Sequence, residues 1–93
     1  LKLKNVMEDL VSEYADEAIA GDPNFCKCQR CRLDVVAIAL NDLKPKYVVT
    51  RKGYAYAKVS ELQAQFRTDI IVAVNKAMSQ VRNSPRHGKT RKA

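Results

Sequence analysis

C-K-C-Q-R-C-R-L-D-V-V-A-I-A-L-N, residues 26–41, decides how this chain folds. The stretch opens with all three cysteines of the chain, Cys26, Cys28 and Cys31, and continues into a segment that is apolar on nearly every side. The first half reads as a tight turn gathered around its sulfurs. The second half reads as the central buried helix. Its first turn follows Cys31 directly, so backbone N–H groups and the helix dipole favour thiolate there, and Asp34 fits the same dipole logic.

Three polarisable thiols on one hinge have no packing use, but a thiophilic metal does. The CxC and CxxC steps let successive sulfurs swing toward one point, matching thiolates about 2.3 Å from a tetrahedral Zn²⁺. A structural zinc site is therefore expected on Cys26, Cys28 and Cys31. Other readings stay beside it. A disulfide leaves one thiol over and spans an awkwardly short Cys26–Cys28 distance. Iron–sulfur runs space their cysteines differently, and a redox CxxC normally sits in a βαβ context absent here. The fourth ligand is open. His87, the one histidine, is the first candidate, with Asp22, Asp34, water or a partner chain's donor as substitutes.

Working outward, the first element reads as an amphipathic helix, with Leu3, Val6, Met7, Leu10, Tyr14 and Ala18 recurring on one side. Asn5 and Glu8 suit a capping box, and Gly21 and Pro23 end the helix. After Lys44-Pro45, the β-branched Lys46–Thr50 and the alternating Tyr54–Val59 read as a hairpin about Arg51-Lys52-Gly53. Ser60-Glu61-Leu62-Gln63 reads as a capping box opening the longest helix, which Pro85 closes. The expected fold is mainly α: a single small domain, α-α-β-β-α, with a short β-hairpin and a cysteine-rich zinc turn. Its expected extent is 1–87, followed by a basic tail at 88–93.

Ninety-three residues sit near the size where a core alone is marginal and a metal or second subunit helps. The stripe from Leu62 to Val81 is wider than one small partner helix covers, which points to a symmetric homodimer. No apolar run approaches the ~20 residues of a membrane span. The N-terminal L-K-L-K-N lacks a signal-peptide core, and clustered cysteines fit a reducing cytoplasm. Net charge is +7, yet residues 1–25 hold two lysines against six acids while the remainder is strongly basic. That asymmetry suggests an anionic partner such as nucleic acid, a nucleotide or an acidic protein.

Five stretches together resemble one known family. They are K-N-V-M-E at Lys4–Glu8, C-x-C-x-x-C at Cys26–Cys31, L-D-V-V-A-I-A-L-N at Leu33–Asn41, P-K-Y-V-V at Pro45–Val49, and P-R-H at Pro85–His87. In order and at this length they resemble the late competence development protein ComFB family. The resemblance implies a small, mainly helical homodimer with zinc held largely by cysteines. Some relatives carry a further cysteine just beyond the tail proline, where this chain offers His87. It also implies a link to natural competence and, through cyanobacterial relatives, a receptor for cyclic di-GMP or cyclic di-AMP.

A cyclic dinucleotide carries two phosphates and two purines. Its receptor needs Lys or Arg for phosphate and the guanine edge, an acid for the Watson–Crick edge, and flat groups for stacking. The chain supplies such groups in Arg30-x-Arg32-x-Asp34, Lys46-Tyr47, Tyr54, Arg67-x-Asp69 and Arg82-x-x-x-Arg86. The candidates are Arg32, Lys46, Arg67, Arg82 and Arg86 for phosphate and base edges, Asp34 for a guanine edge and Tyr47 for stacking. The expected role is a non-enzymatic signalling regulator that passes its ligand state to a downstream protein. The alternatives are a DNA-binding competence accessory protein and a zinc-stabilised protein-interaction module. No helix shows a clean row of Lys/Arg and no DNA-reading motif is evident. An enzyme is disfavoured, because committing the cysteines and histidine to zinc leaves few groups for acid–base or nucleophilic work.

Overall fold

The computed structural model describes residues 1–50 and 52–84, with side chains described outside 50–59. The element order is β1 (Lys2–Asn5), α1 (Val6–Ala20), α2 (Gln29–Asn41), β2 (Tyr47–Thr50) and α3 (Lys52–Asn83). The chain is thus mainly α, with three helices, one two-stranded antiparallel sheet and the cysteine turn between α1 and α2.

The strand partner differs from the expected hairpin. β2 pairs with β1, in the register Leu3↔Val49 and Asn5↔Tyr47, while residues 54–59 belong to α3. The order is therefore β-α-α-β-α rather than α-α-β-β-α. The reason is visible in composition. Tyr-Ala-Tyr-Ala-Lys alternates, but alanine and lysine are strong helix formers, and short alternation does not outweigh a continuous 32-residue helix. The opening Leu-Lys-Leu-Lys alternates just as cleanly and supplies the strand instead. Ser60 accordingly lies inside α3 and opens nothing.

Asn5 joins the sheet to the helices. Its Oδ1 accepts the Met7 N–H at 3.2 Å as the N-cap of α1, and also the Lys46 N–H at 2.9 Å. The Val6 N–H returns a bond to the Lys46 carbonyl at 2.9 Å. One side chain thus satisfies two backbone donors and fixes where β2 begins. At the other end of α1, Gly21 keeps an ordinary φ of −85°. The helix stops because Pro23 has no N–H to extend the ladder.

The core lies among the three helices. Val6, Leu10, Val11 and Ala15 of α1 meet Val35 and Ala39 of α2, all buried. From Leu62 on, α3 covers both, with Ile70, Val74, Ala77 and Val81 turned inward. Most of the wide α3 stripe is therefore consumed within the chain. Ile71 is half-buried and Val72 exposed. No polar or charged residue among the described ones is buried. The sheet is different: Leu3, Tyr47 and Val49 stand on one face and all three are exposed.

Candidate functional site

The cysteine turn is built by local bonds. The Asn24 N–H meets the Asp22 carboxylate at 3.0 Å, and the Phe25 N–H meets the Asp22 carbonyl at 3.2 Å. Phe25 is buried and anchors the turn to the core. Lys27 Nζ donates to the Asp22 carbonyl at 2.7 Å and the Phe25 carbonyl at 3.3 Å. Arg82 at the end of α3 pairs with the Asp22 carboxylate, and its guanidinium lies 5.5 Å from the Phe25 ring centroid.

Cys28 is the N-cap of α2, its Sγ accepting the Cys31 N–H at 3.4 Å. The three Sγ atoms lie within 4.8 Å of one another. Tetrahedral Zn²⁺ with ~2.3 Å bonds requires sulfurs about 3.8 Å apart, so small side-chain rotations close the set. Exposure falls from Cys26 (exposed) through Cys28 to the buried Cys31. Burial, then hydrogen bonding to Cys28 and Cys26, pushes the Cys31 thiol up to about 12. A divalent cation reverses that logic by taking the sulfur as thiolate. The donor set fits a thiophilic metal ion. Among the described residues Asp22 and Asp34 do not join it, being paired with Arg82 and Arg30. His87 lies outside the described residues.

A second feature is a cleft of about 550 Å³ at the opposite end of α2. One wall is the connection to β2, contributing Asp42, Lys44 and Lys46; the other is α3, contributing Phe66, Asp69 and Lys76. The α3 residues fall three, three and four apart through Val72, along one helix face. Lys46 Nζ sits 4.7 Å from the Phe66 ring centroid.

Of the residues named from sequence, the cleft contains Lys46 and Asp69. Arg32 is paired with Asp16 of α1 through both carboxylate oxygens, which raises its pKa. Asp34 pairs with Arg30 at 3.3 Å. Tyr47 is exposed on the sheet, Arg67 borders a groove beside Tyr14, and Arg82 pairs with Asp22 of the cysteine turn. Arg86 lies outside the described residues. The sequence pattern hid Lys44, Phe66 and Lys76 because each reads singly as helix end, core stripe or solvated face. The spacing of Phe66, Asp69 and Lys76 was the available signal.

Residues 4–85 match the family described as late competence development protein ComFB. The chain is 34% identical over 80 residues to the competence protein ComFB of Bacillus subtilis (strain 168), covering 86% of this chain and 78% of that one. It is also similar to the solved structure of the late competence protein ComFB from Bacillus subtilis, with a TM-score of 0.74 and 31% identity, covering 98% of this chain and all of the other. With the cysteine turn, the three-helix core and these matches in agreement, the chain belongs to the ComFB family of late competence development proteins.

Proposed function

We propose that this protein is a non-enzymatic cyclic dinucleotide receptor of the cytoplasm, stabilised by a structural zinc ion and working as a homodimer that signals to another protein. The observation that carries the reading is the cleft. It combines three ammonium groups, an aromatic ring and two carboxylates in about 550 Å³, within the range of small-molecule sites. Those are the groups a ligand with two phosphates and two purines requires. Zinc would be held by Cys26, Cys28 and Cys31, supplying a cross-link that ties the α1–α2 turn to the start of α2. The exposed apolar face of Leu3, Tyr47 and Val49 supports the dimer, because an isolated two-stranded sheet is marginal in water and a second copy would cover it.

Calorimetric titration with cyclic di-GMP, cyclic di-AMP and a short DNA duplex, each at two salt concentrations, tests the reading. The expected result is saturable one-site binding of a cyclic dinucleotide with shallow salt dependence. Tight duplex binding that falls steeply with salt, without cyclic dinucleotide binding, would replace it with the DNA-binding alternative. Light scattering that finds only 10.5 kDa particles at micromolar concentration would remove the dimer.

A further inference from the structure

The receptor reading leaves open which purine the cleft accepts, and its wall on α3 bears on that choice. Phe66 and Asp69 are three residues apart on one helix face and both line the cleft, so a base lying flat on the ring would have the carboxylate as a neighbour. The ring face is already used by a cation, Lys46 Nζ at 4.7 Å. The main chain of Lys46 is fixed at both its N–H and its carbonyl, so its side chain can swing away without moving the strand. A base stacked on Phe66 would displace the ammonium, leaving it free to meet a phosphate.

We infer that Phe66 is the platform for one purine and that Asp69 reads its Watson–Crick edge, so that the cleft selects guanine over adenine. This rests on the cyclic dinucleotide reading of the same cleft. A carboxylate only accepts hydrogen bonds. Guanine presents two donors on that edge, N1–H and the N2 amino group, which a carboxylate receives together. Adenine presents one donor beside the N1 acceptor, whose lone pair faces the second carboxylate oxygen and repels it. An amide has one donor and one acceptor, so Asp69→Asn reverses the match. Asp69 is exposed on α3, and its exchange for asparagine leaves the core untouched.

The test is titration of the purified full chain and its Asp69→Asn and Phe66→Leu variants with cyclic di-GMP and cyclic di-AMP, with thermal melts confirming that each variant folds. The unmodified protein is expected to bind cyclic di-GMP about 5- to 150-fold more tightly, the range of one bidentate base contact. Asp69→Asn should erase or invert that ratio. Phe66→Leu should weaken both ligands together, because stacking does not distinguish the purines. Equal binding of the two ligands by the unmodified protein, or an unchanged ratio in Asp69→Asn, would overturn the inference and leave the receptor reading standing. Binding of neither ligand would overturn the receptor reading itself, and the inference with it.

Discussion

The cysteine turn and the cleft lie at opposite ends of α2 and are assembled in opposite ways. Every sulfur of the turn comes from six consecutive residues, and the hydrogen bonds that shape it join neighbours: the Phe25 N–H to the Asp22 carbonyl, the Cys31 N–H to Cys28 Sγ. The cleft is made by Met7 of α1 and residues from 42 to 76, brought together only when β2 pairs with β1 and α3 packs across α1 and α2. A local site depends on its own ligands. A non-local site depends on whatever holds the strands and helices in register. The two should therefore fail differently when the chain is altered.

The largest effect is expected at the turn. Cys26 is exposed, so Cys26→Ser removes a ligand with little loss of packing, whereas Cys31→Ser also disturbs the core. Both should lower zinc content from near one equivalent per chain, read by elemental analysis. Both should also lower the melting temperature markedly, since the free energy of a structural zinc, about 10 kcal/mol or more in small domains, is folding free energy. Chelator treatment should reproduce the loss. Metal-free protein of unchanged stability would break the comparison on the side of the turn. His87→Ala asks separately whether the histidine completes the set, and full zinc retention would dismiss it.

The next effect belongs to Asn5, the residue on which the cleft's geometry hangs. Asn5→Ala strips the acceptor from both the Met7 and Lys46 N–H groups. Loss of an N-cap costs about 0.5–2 kcal/mol, and an orphaned partly buried donor about 1–3 kcal/mol when water does not reach it. Denaturant melts should show roughly 1–3 kcal/mol of destabilisation. Zinc content should stay unchanged, while ligand affinity falls because Lys46 is no longer held. Loss of zinc in this variant would show that turn and cleft are one cooperative unit.

This contrast also explains what could be read from the sequence. The cysteine cluster, the N-cap at Asn5, α2 and the strand at 47–50 are written in adjacent residues, and each was legible. The partner of β2 was not. Lys2–Asn5 and Tyr47–Thr50 are about forty-five positions apart along the chain, and no local pattern specifies which alternating segment closes the sheet. Leu3 fits the helical spacing of Met7 and Leu10 as well as it fits a strand, so periodicity alone could not place it. The cleft was hidden for the same reason. Lys44 and Lys46 lie on the connection to β2 and Lys76 on α3, and Asp69, named from the sequence beside Arg67, meets them only when α3 is set against that connection.

Charge removal in the cleft should act on binding alone. Lys44 and Lys76 are exposed and line the cavity, so Lys44→Gln and Lys76→Gln should leave the unfolding free energy within about 0.5 kcal/mol of the parent. Each should weaken cyclic dinucleotide binding severalfold in calorimetry, more at low salt than at high salt, because exposed charges are screened. A drop in stability with affinity preserved would reverse the roles assigned to them.

The smallest effect is expected where the long-range and local halves touch. Arg82, in the last turn of α3, reaches the turn through Asp22 and the face of Phe25. This is the one contact described above between the end of α3 and the segment that carries the cysteines. The Arg82 side chain is 45% exposed and that of Asp22 26%, so solvent screening holds the pair to at most about 1 kcal/mol, cation–π contact included. Arg82→Ala should therefore change global stability little. Its informative readout is zinc release measured with a chromogenic chelator. If the turn is held by its own ligands, release should be nearly unchanged; if α3 clamps it, release should quicken several-fold. Arg82→Lys keeps the charge near Asp22 but not the planar face over Phe25, so comparing the two variants separates the ion pair from the stack. Release as fast as in Cys26→Ser would mean that the local site is not self-sufficient, and that the cysteine turn, like the cleft, is held by the packing of α3.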